Sequence, residues 1–154
     1  MNKIIVANTN EHYDVAIQLF KEYATWLNID LCFQNFDEEL LQLQEMYAPP
    51  LGIILLSQNE VEFTGCVAVR NKGENIAELK RMYVKPAARK LGIAKQLLEQ
   101  AIPFAKNAGY KKIRLDTLAT MTPAINLYKQ FGFYEIEPYY FNPENNAVFF
   151  EKLL

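Results

Sequence analysis

The chain has 154 residues, a length that accommodates one domain with its own hydrophobic core. Hydrophobic residues make up 51% of it and aromatic residues 13%, which excludes a disordered or low-complexity chain. The 16 Lys and Arg and 18 Asp and Glu residues leave a net charge of −2, which gives no general attraction to nucleic acid or anionic lipid. With 2 cysteines and 1 histidine, a disulfide framework, a four-thiolate zinc site and a histidine-rich metal site are excluded.

No segment of the sequence has the pattern of a membrane span or a secretory leader. The apolar stretch in residues 1–7 is too short for the core of a signal peptide, and no small-residue cleavage site follows it. The apolar run Ile53–Leu56 is far shorter than a bilayer crossing requires. We therefore expect a cytoplasmic protein with reduced thiols that contacts neither membrane nor nucleic acid.

The N-terminal part of the chain predicts a strand and two helices. Residues Lys3–Ala7 predict a strand, and Asn8–Asn10 supply a cap for a helix over residues 11–28, whose apolar side chains recur at helical spacing. A second helix is predicted from Asp37 to Met46, and Pro49–Pro50 ends it.

Three strand-like segments follow. Residues 52–57, 61–70 and 76–84 are rich in apolar and β-branched side chains, and the short turns between them predict antiparallel neighbours. The remaining predicted elements are a long helix from Gly92 to Gly109 that Pro103 should kink or shorten, a strand over 111–117, a helix over 123–131, and strands over 133–136 and 147–153. This order of elements predicts a mixed α/β fold.

The junction between strand 76–84 and the long helix carries the first functional motif. A basic loop with Arg89 and Lys90 leads to a helix start at Gly92, and Ala94 follows in the first turn. The first-turn amides of a helix have no partners within it and the helix dipole is positive there, so this end suits phosphate oxygens. The pattern Arg-x-x-Gly-x-Ala equally describes a helix start beside a solvated basic loop, so this motif alone leaves the function open.

A second motif, Leu127-Tyr128-Lys129-Gln130-Phe131-Gly132-Phe133, lies one strand and one helix later. With both motifs in this order, residues 53–133 resemble the GNAT family of N-acetyltransferases. The resemblance implies a single domain over residues 1–154 with the GNAT fold, in which a mixed, mostly antiparallel central sheet splays between two parallel strands and is flanked by about four helices. It also implies an acetyl-CoA-dependent N-acyltransferase that uses no metal.

The acetyl-CoA site of the family implies a set of cofactor-binding residues in this chain. By resemblance, the pantetheine arm pairs with backbone groups at the end of strand 76–84, where the sheet splays from strand 111–117. The pyrophosphate rests on the helix start, and Arg89 matches the first position of the family's motif. The implied cofactor-binding residues are Met82, Tyr83, Val84, Arg89, Lys90, Leu91, Gly92, Ile93, Ala94 and Lys95.

Tyr128 matches the family tyrosine whose hydroxyl lies near the sulfur of the cofactor. A phenol can donate a proton to the thiolate that leaves during transfer, and packing of Tyr128 on the core is the alternative. Many family members carry an asparagine seven residues before this tyrosine, where this chain has Met121. Whether Thr120 or Thr122 replaces that asparagine stays open.

Glu78 is the candidate general base, since N-acetylation requires a neutral amine. Several family members place a base glutamate at this distance from the strand end, and burial is expected to raise the pKa of Glu78. Strand alternation predicts one face with Glu78, Lys80, Met82 and Val84 and another with Leu79, Arg81 and Tyr83. An ordinary carboxylate at a strand edge, paired with Lys80, is the alternative.

The acceptor site of this fold is usually built by the first two helices and the last strands, which here are rich in aromatic side chains. The candidate substrate-binding residues are Trp26, Phe33, Phe36 and Tyr139. The acidic residues expected to attract a cationic amine are Asp30, Asp37, Glu38 and Glu39. Most of the aromatic side chains also fit a hydrophobic core.

We therefore expect transfer of the acetyl group from acetyl-CoA to a primary amine of a small molecule by direct attack, with Glu78 as the base and Tyr128 as the acid. Acetylation of a protein or peptide amine and a non-catalytic acyl-CoA-binding module are the alternatives. The sequence names neither the acceptor nor the preferred acyl group. An exposed strand near the C-terminus leaves a homodimer open.

Overall fold

The computed structural model describes residues 2–28 and 35–154. In these ranges the chain forms one seven-stranded sheet and five α-helices. The strands are β1 (Lys3–Val6), β2 (Ile53–Gln58), β3 (Phe63–Gly73), β4 (Ile76–Val84), β5 (Lys112–Leu118), β6 (Tyr134–Ile136) and β7 (Ala147–Leu153). The helices are α1 (Asn10–Leu27), α2 (Phe36–Leu41), α3 (Leu43–Met46), α4 (Ile93–Asn107) and α5 (Thr122–Gln130).

The sheet has the order β1-β2-β3-β4-β5-β7-β6, and its only parallel pair within the described residues is β4 with β5. These two strands pair only from Ile76 opposite Lys112 to Glu78 opposite Arg114. Beyond Glu78 they diverge, whereas β5 continues to pair with β7 over its whole length. The predicted fold, a mostly antiparallel sheet that opens between two parallel strands, is therefore confirmed.

Two hydrophobic cores lie on opposite faces of the sheet. On one face Leu97 and Leu98 of α4 are fully buried, and Tyr128 of α5 joins the same core. On the other face Leu19 and Phe20 of α1 are fully buried. Strand β2 serves both cores, since Ile53 and Leu55 face α4 whereas Ile54 and Leu56 face α1. We call these two sides of the sheet the α4 face and the α1 face.

The helices begin and end largely where their sequence signals predict. The Thr9 hydroxyl accepts a hydrogen bond from the His12 amide at 3.1 Å and caps α1, as the predicted turn requires. Helix α4 begins after Gly92 and continues through Pro103, so the expected early end at this proline is wrong. Pro103 and Glu99, the residue whose carbonyl lacks its usual donor, are both exposed.

Two further expectations are corrected. The helix predicted from Asp37 to Met46 is two short helices, α2 and α3, because Gln42 has φ −112°, outside the helical range. The C-terminal strand β7 is flanked by β5 and β6, so the exposed edge near the C-terminus is the three-residue strand β6. Whether that edge supports a homodimer stays a prediction. None of the helices in residues 2–28 and 35–154 has both the length and the apolar character of a bilayer crossing.

Candidate active site

A cleft opens where β4 and β5 diverge. Leu79 and Met82 of β4 and Leu115 and Leu118 of β5 form its strand walls. The residues that line the cleft are Tyr23, Leu27, Leu79, Lys80, Arg81, Met82, Leu115, Asp116, Thr117, Leu118, Tyr128 and Asn142. Side chains from α1, from α5 and from the segment over residues 137–146 therefore meet at the point where the sheet splits.

A β-bulge at Arg81 reverses the alternation of β4 beside this cleft. Cys66 pairs with Tyr83 and Ala68 pairs with Lys80, so β4 holds one more residue than β3 between these pairs. Arg81 takes up the extra residue with φ 59°, in the left-handed region. The predicted single face for Glu78, Lys80, Met82 and Val84 is therefore wrong.

The side chains of β4 divide differently on the two sides of the bulge. Glu78 pairs across the sheet with Arg70 and Lys80 with Ala68 of the α1-face core, which places both on the α1 face. Met82 and Val84 pack on the α4-face core together with Leu79. The predicted alternation therefore holds for Glu78 and Lys80 and fails for Met82 and Val84, because the sequence pattern carries no signal of the extra residue at Arg81.

The proposed phosphate loop has the geometry of an open helix start. Gly92 has φ 79° and Lys90 has φ 68°, and a Cβ added to Gly92 would meet no atom within 4 Å. Ile93 is buried and anchors the first turn of α4, whereas Leu91 and Lys95 are exposed beside it. The first-turn amides, which include that of Ala94, lie at the positive end of the helix dipole, next to the open surroundings of Gly92.

Arg89 and Trp26 lie together beside this loop. The Arg89 Nε donates a hydrogen bond to the Val84 carbonyl at 2.9 Å, and its guanidinium lies 4.4 Å from the Trp26 ring centre. Trp26 and Tyr83 have ring centres 6.0 Å apart. Trp26, expected at the acceptor, thus contacts the residues expected at the cofactor, and both roles stay predictions.

Glu78 is buried in a network of hydrogen bonds. Its Oε1 accepts from Arg70 Nε and its Oε2 accepts from the Tyr139 hydroxyl, each at 2.8 Å. Burial alone would raise the pKa of Glu78, yet the charges of Lys80 and Arg70 and these hydrogen bonds outweigh it and lower that pKa. The expected rise in pKa is therefore wrong. Glu78 is also absent from the cleft lining, so its role as a base stays a prediction that needs a bridging water.

A second buried ion pair connects α2 to the bulge. The Arg81 guanidinium donates to both carboxylate oxygens of Glu39, at 2.8 and 3.1 Å, and the Tyr47 hydroxyl donates to Glu39 at 2.9 Å. Phe36 packs its ring 5.1 Å from the same guanidinium. Glu39 is thus hydrogen-bonded within the protein, and its expected attraction of an amine stays a prediction. Phe36 packs beside the bulge, and its role in acceptor binding stays a prediction as well.

Lys80 lies between these two ion pairs and lines the cleft. Its Nζ is 4.0 Å from Glu78 Oε1, longer than the 2.8 Å contact of Arg70 with the same oxygen. Burial and the nearby charge of Arg81 lower the pKa of Lys80 to about 8. Its ammonium group is therefore largely shielded from solvent where Lys80 lines the cleft.

Asp116 of β5 is a cleft residue that sequence reasoning missed. Asp116 Oδ2 accepts hydrogen bonds from the Tyr140 hydroxyl and from Asn142 Nδ2. Both partners belong to the 137–146 segment, which also brings the Tyr139 hydroxyl to Glu78. The alternation of β5 contained a signal, because Ile113 and Leu115 face the α4-face core and Asp116, which follows Leu115, therefore faces α1.

Tyr128 is buried at the inner wall of the cleft. Its ring contacts Phe133, with ring centres 5.7 Å apart, and belongs to the α4-face core. Burial, followed by the nearby Tyr23 and Asp116, raises the pKa of the Tyr128 hydroxyl. The hydroxyl is therefore protonated at neutral pH, and Tyr128 lines the cleft, where its role as a donor stays a prediction.

The remaining predicted residues divide between this cleft and the rest of the chain. Tyr139 is half-buried and contacts Glu78, and Phe33 lies outside the described residues, as do Asp30 and Cys32. Thr120 and Thr122 are exposed, and the replacement for the family's asparagine at Met121 stays open. In the described part of the chain, no cluster of three or more His, Cys, Asp or Glu residues has a geometry that could hold a metal ion.

A solved structure with the same fold is an acetyltransferase. The chain superimposes on the PaiA N-acetyltransferase from Thermoplasma acidophilum, solved in complex with coenzyme A, with a TM-score of 0.75 at 20% identity over 99% of both chains. At 20% identity this similarity shows the fold alone, and the fold is that of an acetyltransferase.

Sequence relatives identify the family. An uncharacterized N-acetyltransferase from Schizosaccharomyces pombe is 43% identical over 133 residues, which is 85% of this chain and 82% of that protein. An IAA acetyltransferase from Azospirillum brasilense is 30% identical over 156 residues, 100% of both chains. The profile of the Acetyltransferase (GNAT) family matches residues 13–133. The chain belongs to the GNAT acetyltransferase family, and its activity is that of an acetyl-CoA-dependent acyltransferase.

Proposed function

We propose that the protein transfers the acetyl group of acetyl-CoA to a primary amine of a small molecule by direct attack of the amine on the thioester. The observation that carries the proposal is the cleft between β4 and β5, which has Tyr128 in its wall. Tyr23 and Leu27 of α1 and Asn142 of the 137–146 segment cover the acceptor side. This cover supports a small acceptor.

The residues of the splay fit acetyl-CoA. Strand β5 pairs with β4 only as far as Glu78, so the backbone groups of residues 79–84 that point toward β5 are left for another partner. Met82, Tyr83 and Val84 would hold the pantetheine arm there. The amides of residues 91–95, with Arg89 and Lys90 beside them, would hold the pyrophosphate, because the surroundings of Gly92 are open.

Bound acetyl-CoA supplies an activated acyl thioester to the site. The amine nitrogen bonds to the acetyl carbon while the carbon–sulfur bond breaks and its electron pair stays with sulfur. Tyr128 donates its hydroxyl proton to that sulfur. Of the two protons that the ammonium group loses, one passes through water to Glu78 before attack, and the other restores the hydroxyl of Tyr128.

The test is a screen of acetyl-CoA turnover against amines, amino acids and peptides. We expect release of the coenzyme A thiol together with an acetylated product of matching mass for a set of small amines. Acetylation of peptides without acetylation of small amines would instead indicate that the acceptor is a protein or peptide amine. Binding of acetyl-CoA in calorimetry with no transfer to any member of the screen would overturn the proposed function in favour of a binding module.

A further inference from the structure

Three aromatic rings from α1 and β4 form a cluster on the α1 face of the sheet. The ring centres of Tyr23 and Trp26 are 6.5 Å apart, and each lies 6.0 Å from the ring centre of Tyr83. Tyr23 lines the cleft, whereas Trp26 lies in the last turn of α1 and is 41% exposed. The cluster therefore extends from the cleft wall to the protein surface.

The guanidinium of Arg89 covers the exposed end of this cluster. Its central carbon lies 4.4 Å from the ring centre of Trp26 and 5.9 Å from that of Tyr83. The Arg89 Nε donates a hydrogen bond to the Val84 carbonyl at 2.9 Å. A guanidinium that lies over an aromatic face and is also hydrogen-bonded through Nε has few orientations left, so these contacts fix the direction of the group.

The hydrogen bond through Nε leaves the outer edge of the Arg89 guanidinium for a ligand. Within the described ranges, no group accepts a hydrogen bond from its two terminal NH2 groups, and no carboxylate forms an ion pair with it. Arg89 is separated by only two residues from Gly92, where α4 begins. The edge of a guanidinium binds phosphate oxygens in a bidentate manner, and Trp26 covers a face of the group rather than this edge.

We infer that Trp26 is a positioning residue of the donor site, which orients Arg89 toward the pyrophosphate of acetyl-CoA. The inference rests on the proposed function, in which Arg89 and the amides of residues 91–95 hold that pyrophosphate. It assigns the last turn of α1 to recognition of the donor rather than of the acceptor. The protein should therefore prefer a thioester that carries a diphosphate over one that lacks it, and Trp26 should account for part of that preference.

The experiment compares acetyl-CoA with S-acetylpantetheine, which has the same thioester and pantetheine arm but no phosphate. Calorimetry measures the dissociation constant of acetyl-CoA, and competition against acetyl-CoA measures that of S-acetylpantetheine. Trp26→Leu should raise the constant for acetyl-CoA about fivefold and leave that for S-acetylpantetheine within about twofold, because Trp26 orients only the group that binds phosphate. Trp26→Phe retains an aromatic face and should stay within about twofold of the parent protein for both ligands.

A double-mutant cycle tests whether Trp26 acts through Arg89. Arg89→Met should itself weaken acetyl-CoA binding, and Trp26→Leu added to it should change the dissociation constant by less than about twofold, because the group that Trp26 orients is already absent. Tyr134→Leu is the control, since Tyr134 is an aromatic residue of similar exposure, 43%, on the edge strand β6. This variant should leave the constants of both ligands within about twofold.

The possible results separate the inference from the proposed function. An unchanged acetyl-CoA constant in Trp26→Leu, or an equal loss of affinity for both ligands, would overturn the inference and leave acetyl transfer intact. Independent, additive effects of Trp26→Leu and Arg89→Met on acetyl-CoA binding would also overturn it. A parent protein that does not bind acetyl-CoA would instead overturn the proposed function.

Discussion

The hydroxyl of Tyr128 combines deep burial with a place in the cleft wall, so its chemistry can be separated from its packing. Tyr128→Phe keeps the ring contact with Phe133 and removes only the donor. We expect kcat to fall about 10²-fold, as for loss of a general acid, with the acetyl-CoA dissociation constant within about twofold. Single-turnover kinetics and calorimetry measure the two quantities, and an unchanged kcat would reduce Tyr128 to a packing residue.

A second prediction concerns Glu78, whose ionised carboxylate accepts hydrogen bonds from Arg70 and Tyr139. Glu78→Gln should depress kcat about 10²-fold with little change in acetyl-CoA affinity if the carboxylate receives the proton of the amine. Glu151 is the control, since it is also buried, paired with Arg114 and outside the cleft. Glu151→Gln should keep kcat within about twofold. Equal kcat for Glu78→Gln and the parent at neutral pH would remove Glu78 from the mechanism.

The sequence identified some residues of the candidate site and missed others. Tyr128 and Gly92 were singled out by motifs with fixed spacing; Tyr128 lines the cleft and Gly92 directly precedes α4, and their roles stay predictions. The lowered pKa of Glu78 did not follow, because it depends on Lys80 together with Arg70 and Tyr139, and the last two come from other parts of the chain. Asp116 was missed because its partners Tyr140 and Asn142 come from a distant segment with no regular pattern.

Helix α4 is flanked by two glycines with similar backbone conformations, which allows one to serve as the control for the other. Gly92 before its first turn has φ 79° and Gly109 after its last turn has φ 97°, and neither has an atom within 4 Å of an added Cβ. Alanine at either position should cost about 1 kcal/mol of unfolding free energy from backbone strain. Only Gly92→Ala should also weaken acetyl-CoA binding, by severalfold in calorimetry. Equal affinities for the two variants would place the pyrophosphate elsewhere.

The ion pair between Glu39 and Arg81 attaches α2 to the bulge in β4, and both side chains are buried. Glu39→Gln leaves the guanidinium without its counter-charge, so we expect a loss of about 3–5 kcal/mol in unfolding free energy. The double change Glu39→Gln with Arg81→Met should recover most of this loss. The exposed neighbour Glu38 is the control, and Glu38→Gln should stay within about 0.5 kcal/mol in urea denaturation. A loss of unfolding free energy in Glu38→Gln as large as that in Glu39→Gln would contradict this explanation.

For the whole molecule, buried carboxylates set the response to acid. The pKa values of Glu39 and Glu78 lie below the ordinary value of 4.5, so the unfolded chain binds more protons as the pH falls. Their stabilisation is present above pH 4.5 and is lost as the pH decreases through the folded-state pKa values. Urea denaturation should show unfolding free energy falling below this pH by up to about 1.4 kcal/mol per pH unit for each group. Glu39→Gln should flatten the slope, and a parent protein with no slope would contradict the prediction.

The overall architecture could be predicted further than the site. Strands β4 and β7 have the predicted bounds, because their alternating or apolar patterns end at clear turns. The split of the sheet followed only from the family resemblance, since no local pattern marks where two parallel strands stop pairing. The division of the second helix into α2 and α3 depends on the backbone of Gln42, for which the sequence has no distinct signal.

The extra residue at Arg81 has a consequence for engineering this enzyme. Upstream of it, the side chains at positions 78 and 80 lie on the α1 face, whereas Met82 and Val84 downstream pack on the α4-face core. Under the proposed function, separate stretches of one strand would then serve the amine and the acetyl donor. A combinatorial library restricted to the upstream stretch should change which amine is modified and leave donor recognition unchanged.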